Sequence, residues 1–366
     1  MSPNIKNRDQ FLDIAKGLAI ILVILGHTFQ GLSENFDDLI GFRVIYSFHM
    51  PLFIFISGMV FSVTLKKTAL EQTQIHSLFT LYLTRIYRSF IRLIIPFSAW
   101  TIIGYFLNKR YEEGKIWEFE PLLTFFVKVI RSPDWSLWFL VCVFYCICAL
   151  SLIEFCCAIL RLKFNIKKKY VFEITLILLS IYISSILHGI GIRTGGYGVG
   201  FLMSYFIYFT LGYIVAGPII KSILKKSITY FSILIFICLV PFWHRTSPHH
   251  LSLTTPEFIV PYLNNNLFGG FLALLGSLTV MLLVEFFSNR PNWILSKFLA
   301  RCGVLSLGIY AIHFYFLVYK PPVLGPLIIS VLITLIIQKI PILRVVLLGE
   351  PSRSKVAVSD THPIRG

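Results

Sequence analysis

The run LDIAKGLAIILVILGH, from Leu12 to His27, sets an aspartate, a lysine and a histidine in an otherwise apolar segment. Ionisable side chains are costly inside a bilayer and mark candidate functional sites there. At 100° and about 1.5 Å per residue, the eleven steps from Lys16 to His27 make three turns plus about 20° and rise roughly 16 Å. The two side chains therefore share a helix face. Asp13 falls within about 40° of that face and is spaced i, i+3 from Lys16, close enough to pair with it. Two more histidines stand in apolar runs, His49 in VIYSFHMPLFIFISGMVF and His313 in LSLGIYAIHFYFL. Neutral imidazole is the usual general base near neutral pH, so this set could take a proton from a hydroxyl. For each histidine alone, hydrogen bonding to a neighbouring helix is the competing role, and Lys16 could simply snorkel to the interface. No H-x-x-x-H spacing links the three, so no metal is expected. A proton path in a transporter is the rival use of the same residues.

Other candidates are less specific. RIYRSFIRLIIPF places Arg85, Arg88 and Arg92 three and four residues apart, which would line one helical face entering the membrane. Interfacial anchoring accounts for them, and a clamp for a phosphorylated ligand is the alternative, because guanidinium forks match phosphate. Trp138, in SLWFLVCVFY, reads as an interfacial anchor, with a wall of a buried polar site as the alternative. Pro51, just after His49, suits a bent helix. WHRTSPHH, with His244, His249 and His250, reads as a solvated loop. No P-loop or G-x-S-x-G elbow occurs. Seven cysteines without a C-x-x-C pair indicate neither a disulfide framework nor a zinc site.

The elements that must position these residues are membrane spans. Of 366 residues, 56% are hydrophobic and only 14% charged, and the mean hydropathy is +0.79. That is too little charge for a soluble domain. Apolar stretches long enough to cross about 30 Å of hydrocarbon recur throughout. Ten are expected, near 11–30, 44–64, 89–107, 136–160, 170–187, 199–216, 228–243, 267–286, 304–319 and 323–343. The first carries Lys16 and lacks a small-residue cleavage site, so it is expected to stay as a helix. The net charge of +16 sits in short loops rather than on one face, which argues against nucleic acid. With ten spans, 22 of the 33 basic residues fall on the side of the termini and nine opposite, which places both termini in the cytoplasm. The segment 108–134 breaks the pattern with five basic residues, and its LLTFFVKVI stretch reads as a helix lying on the membrane surface. The expected architecture is an all-α polytopic domain over 1–349 with a short polar cytoplasmic tail over 350–366.

Taken in order, RDQFLDIAKGLAIILVILGH, FHMPLFIFISGMVF, RIYR, WFL and SLGIYAIH resemble the acyltransferase-3 family of integral-membrane acyltransferases, in particular its fucose 4-O-acetyltransferase-like branch. The resemblance implies transfer of an acetyl group from acetyl-CoA to a hydroxyl of a cell-surface carbohydrate such as O-antigen or capsule, lipid-linked or polymerised, in a bacterial inner membrane. It implies that Lys16 and His27 match the basic-x10-histidine motif of the first helix, with lysine where arginine is common. It also implies that Arg85 and Arg88 match the family's paired arginines, and His49 the histidine of its FHMP segment. On that reading Lys16, Arg85 and Arg88 bind the donor, and His27 with His49 is catalytic. Asp13, His313 and Trp138 support them, and no metal takes part. A proton-coupled transporter or flippase and a non-catalytic membrane partner are the alternatives.

Overall fold

The computed structural model describes residues 9–69, 75–108, 121–132, 137–164, 178, 198–245, 268–318 and 320–350, and these are helical with no strand among them. The expected fifth span, 170–187, lies outside the described residues apart from Leu178, as does all of the tail beyond Glu350. In chain order the helices are α1 (Gln10–Gln30), α2 (Ile40–Tyr46), α3 (His49–Ala69), α4 (Ile75–Ser89), α5 (Ile95–Asn108) and α6 (Leu122–Arg131). They continue with α7 (Trp138–Phe164), α8 (Val199–Val215), α9 (Pro218–Leu224), α10 (Ser227–Leu239) and α11 (Gly269–Ser288). The last four are α12 (Ile294–Val304), α13 (Ser306–Ile312), α14 (Leu324–Lys339) and α15 (Pro341–Leu348).

Five helical stretches among the described residues are long and apolar enough to cross a membrane, and seven if two bent pairs each count as one. The ten-span count is not reached by that measure. Two expected spans, Thr229–Phe242 and Leu324–Lys339, are shorter apolar helices, and one lies outside the described residues. The chain is polarised as an integral membrane protein should be. On α14, Ile328, Leu332 and Ile336 are exposed at four-residue spacing, while Ser330 and Thr334 are buried on the other face. Lipid solvates the apolar side, so the helix turns its hydroxyls inward.

Asp9 starts α1, its carboxylate accepting the amide N–H of Phe11 at 3.0 Å, an N-cap satisfying an otherwise orphaned donor. From there α1 runs through the centre of the bundle and packs against α2, α3, α11 and α12. Hydrophobic burial contributes little to association between helices in lipid, so close backbone approach through small residues matters more. Gly17 of α1 and Gly303 of α12 meet at such a crossing: a methyl on Gly17 would collide with the Leu299 carbonyl, and one on Gly303 with the Asp13 carbonyl. Gly58 of α3 and Gly212 of α8 make a second crossing of the same kind, against Phe209 and Phe55.

Two breaks reshape the expected spans. The ninth begins at Ile294 rather than 304, and bends by 69° between α12 and the unit Ser306–Phe316, whose last turn, His313–Phe316, is a 3-10 helix. Lys297 and Arg301 lower the hydropathy of α12 and hide its continuity. The second break is a 97° turn between α8 and α9, made at Gly217 with φ +79 and ψ −128, a conformation side chains rarely adopt. The bend expected from Pro51 is absent at that residue. Pro51 lies in the first turn of α3, where a missing N–H costs nothing, and the chain instead breaks at Ser47–Phe48.

Candidate active site

One end of α1 gathers the histidines. His27 lies in the last turn of α1 and is half-buried, while His49 and His313 are 3% and 1% exposed. The bend after α12 swings the 3-10 turn back onto α1, so the His27 and His313 rings lie 5.5 Å apart between centroids. Phe314, the next residue, meets the His27 ring edge-on at 5.8 Å. Tyr46 joins the third histidine to the pair: its hydroxyl lies 3.2 Å from His27 Nδ1, and its ring meets that of His49 at 4.6 Å. Three residues far apart in sequence are thus brought to one site.

Backbone breaks hold the two buried rings. The Ile45 carbonyl, where α2 ends, takes the Nδ1–H of His49 at 3.0 Å. The carbonyls of Ile309 and Tyr310, where α-helix gives way to 3-10 helix, accept from His313 Nδ1–H at 3.1 and 2.8 Å. A carbonyl only accepts, so in both neutral rings Nδ1 is protonated and Nε2 carries the lone pair. The Nε2 of His313 is buried without a hydrogen-bond partner.

A polar cap borders this end. Arg43 donates from Nε to the Asp37 carbonyl and from Nη1 to the Pro241 carbonyl at 2.7 Å. The Arg245 amide donates to the Asp37 carboxylate at 3.0 Å, and its guanidinium sits 5.1 Å above the Tyr46 ring. These contacts tie the segment before α2 to the end of the α10 span. The WHRTSPHH stretch, expected as a solvated loop, therefore contributes Arg245 to the site's border, while His249 and His250 lie outside the described residues.

The opposite end of α1 carries Lys16. Lys16 Nζ lies 2.7 Å from Asp13 Oδ1, the pair expected from their i, i+3 spacing, with Lys16 19% and Asp13 8% exposed. The arginines do not share one environment as expected. Arg85 is half-buried, its guanidinium 4.8 Å above the Phe61 ring, whereas Arg88 and Arg92 are exposed. The reason is local: Arg85 and Arg88 differ by about 60° around the helix, enough to straddle its buried edge. Arg92 lies in a π-helical turn, Phe90–Ile94, whose extra residue shifts the register. Glu154 of α7 is buried, accepts the Tyr213 hydroxyl proton, and acts electrostatically on Arg85. Trp138, partly buried, stacks on Phe201 at 4.6 Å and lies 5.1 Å from Tyr205, both on α8.

A family model described as an acyltransferase domain matches residues 9–348. The chain belongs to the acyltransferase-3 family. Both ends of α1 and the site around His27 lie inside the matched acyltransferase domain. Among relatives, the Nodulation protein NolL of Sinorhizobium fredii (strain NBRC 101917 / NGR234) is 44% identical over 72 residues, 19% of this chain and 20% of that protein. The Nodulation protein NolL of Mesorhizobium japonicum (strain LMG 29417 / CECT 9101 / MAFF 303099) is 43% identical over 70 residues, 18% of this chain and 19% of its own. The chain spans about a fifth of the length of these curated relatives. No solved structure matches it.

Within this acyltransferase domain, Tyr46, Gln30 and Arg245 escaped the sequence reading. Gln30 alone gave a usable signal, because it stands at i+3 from His27 on the same helix face. Glu154 gave another, as a carboxylate in the apolar run of α7. Among the described residues no group of three metal-ligating side chains occurs.

Proposed function

We propose that this chain is a membrane O-acyltransferase that moves an acetyl group from cytoplasmic acetyl-CoA to a sugar hydroxyl of a cell-surface polysaccharide, in a bacterial inner membrane with both termini cytoplasmic. The observation that carries the reading is the meeting of His27 and His313, with His49 beside Tyr46, inside a domain of this family. His27 is the half-buried member of the set, open enough to reach a substrate hydroxyl. His27 Nε2 takes the hydroxyl proton as the oxygen attacks the thioester carbonyl. The carbon–sulfur bond breaks, and the departing thiolate takes the proton back from the imidazolium. The donor supplies the activated acetyl group. Lys16 and Arg85 hold its phosphates at the other end of α1, with Arg88 at the exposed margin, and the roughly 16 Å along the helix to His27 suits an extended pantetheine arm. Asp13 orients Lys16.

A second reading, a proton-coupled transporter or flippase, is favoured by the two bent pairs, since discontinuous helices frame many transport sites. Purified protein in proteoliposomes separates the two. With radiolabelled acetyl-CoA and a polysaccharide acceptor supplied, the acyltransferase releases free CoA thiol as the label enters the acceptor, and Arg85→Ala raises the donor KM about tenfold or more. A protein that releases no thiol while moving a glycan intermediate across the bilayer would be the transporter.

A further inference from the structure

We infer that Tyr46, backed by Gln30, is a positioning residue that decides which nitrogen of His27 is the base, an inference that rests on the acyl-transfer reading above. The Tyr46 hydroxyl donates to Gln30 Oε1 at 2.5 Å. A phenol has one proton to give, so toward His27 Nδ1, 3.2 Å away, its oxygen only accepts. Nδ1 of His27 is then the protonated nitrogen, and Nε2 holds the lone pair that the chemistry needs. Without that acceptor Nδ1 loses the partner that holds its proton, and Gln30, which also hydrogen-bonds His27, is left without its tyrosine. The tyrosine is itself fixed: its ring stacks on Phe42 at 4.1 Å, meets His49 at 4.6 Å and lies under the Arg245 guanidinium. Gln30 lies one turn beyond His27 on α1, so the histidine and the group that anchors its orienter move as one body. The pair does for His27 what a buried carboxylate does for other catalytic histidines, fixing tautomer and aim. It does so without placing a second charge in lipid, where a carboxylate would be expensive.

The test uses membranes of cells that lack the endogenous gene, carry their own surface glycan and express the full chain. The initial rate of radiolabelled acetyl incorporation into polysaccharide is measured against acetyl-CoA concentration, at matched protein level and matched thermal stability. Tyr46→Phe keeps the ring and removes the accepting oxygen. It lowers the maximal rate on the order of 100-fold and leaves the donor KM unchanged. Gln30→Leu costs about tenfold, and the double variant is no worse than Tyr46→Phe, because both act through one hydrogen-bonded chain. If Tyr46→Phe fails to accumulate, Gln30→Glu replaces it: glutamate keeps an acceptor for the tyrosine proton, and its rate exceeds that of Gln30→Leu about fivefold. A wild-type maximal rate in Tyr46→Phe, additive losses in the double variant, or equal rates for the two Gln30 variants would overturn the inference. His27→Ala runs beside them. Full activity there sinks the base reading together with this one, whereas an inactive His27→Ala beside a fully active Tyr46→Phe sinks this one alone.

Discussion

The Nε2 of His313 is buried and has no hydrogen-bond partner, although two backbone carbonyls hold its other nitrogen. An unmet buried polar atom costs about 1–3 kcal/mol, so a purely structural residue would be better replaced by a group with nothing at that position. Asparagine is such a group: its amide N–H can follow Nδ1 onto the Ile309 and Tyr310 carbonyls while Nε2 is lost. We expect His313→Asn to fold as well as wild type and to lose transfer activity by about 100-fold, read from acetyl incorporation beside a thermal melt. Retained activity would make His313 a packing residue. At this scale the sequence was legible where chemistry is local. The Asp13–Lys16 pair follows from spacing alone. The meeting of His27 with His313 does not, because it depends on a bend at Leu305 that no proline announces. Tyr46 stayed hidden because a tyrosine among apolar residues carries no desolvation cost large enough to flag it.

Between elements, the site depends on α12 crossing α1 at the right angle, and the Gly17–Gly303 contact sets that crossing. A side chain at Gly303 meets the backbone of α1, which cannot yield as a flexible side chain could. We expect Gly303→Ala to cost about 1–3 kcal/mol and to lower the melting temperature in detergent. Gly31→Ala serves as the control, since its nearest neighbours would be at 3.6 Å, an ordinary contact. Equal melting temperatures for the two variants would contradict this account of the crossing. Most spans were legible as apolar runs, with α1 and α7 falling within a few residues of expectation. Where the reading failed, two charges interrupted hydropathy (Lys297 and Arg301) or one extra residue shifted the helical register (Phe90–Ile94). The amphipathic stretch expected on the membrane surface is helix α6, exposed except at Val129 and a few partly buried residues.

As a whole, the molecule separates two kinds of polar residue along α1. The Lys16–Asp13 ion pair occupies one end, and His27 the other beside His313 and Tyr46, with an apolar stretch between them in which Ala19, Ile20, Val23 and Ile24 are buried. The proposed reaction uses that division: its donor is a soluble polyanion and its acceptor a hydroxyl of a surface glycan. The central claim is that His27 performs the transfer. It is tested most directly by expressing wild type and His27→Ala at matched levels in cells lacking the gene, and measuring base-labile O-acetyl on their surface polysaccharide by NMR. The account predicts acetyl signals with wild type and none with the variant, while the variant protein remains folded in the membrane. Undiminished acetylation by His27→Ala would contradict it.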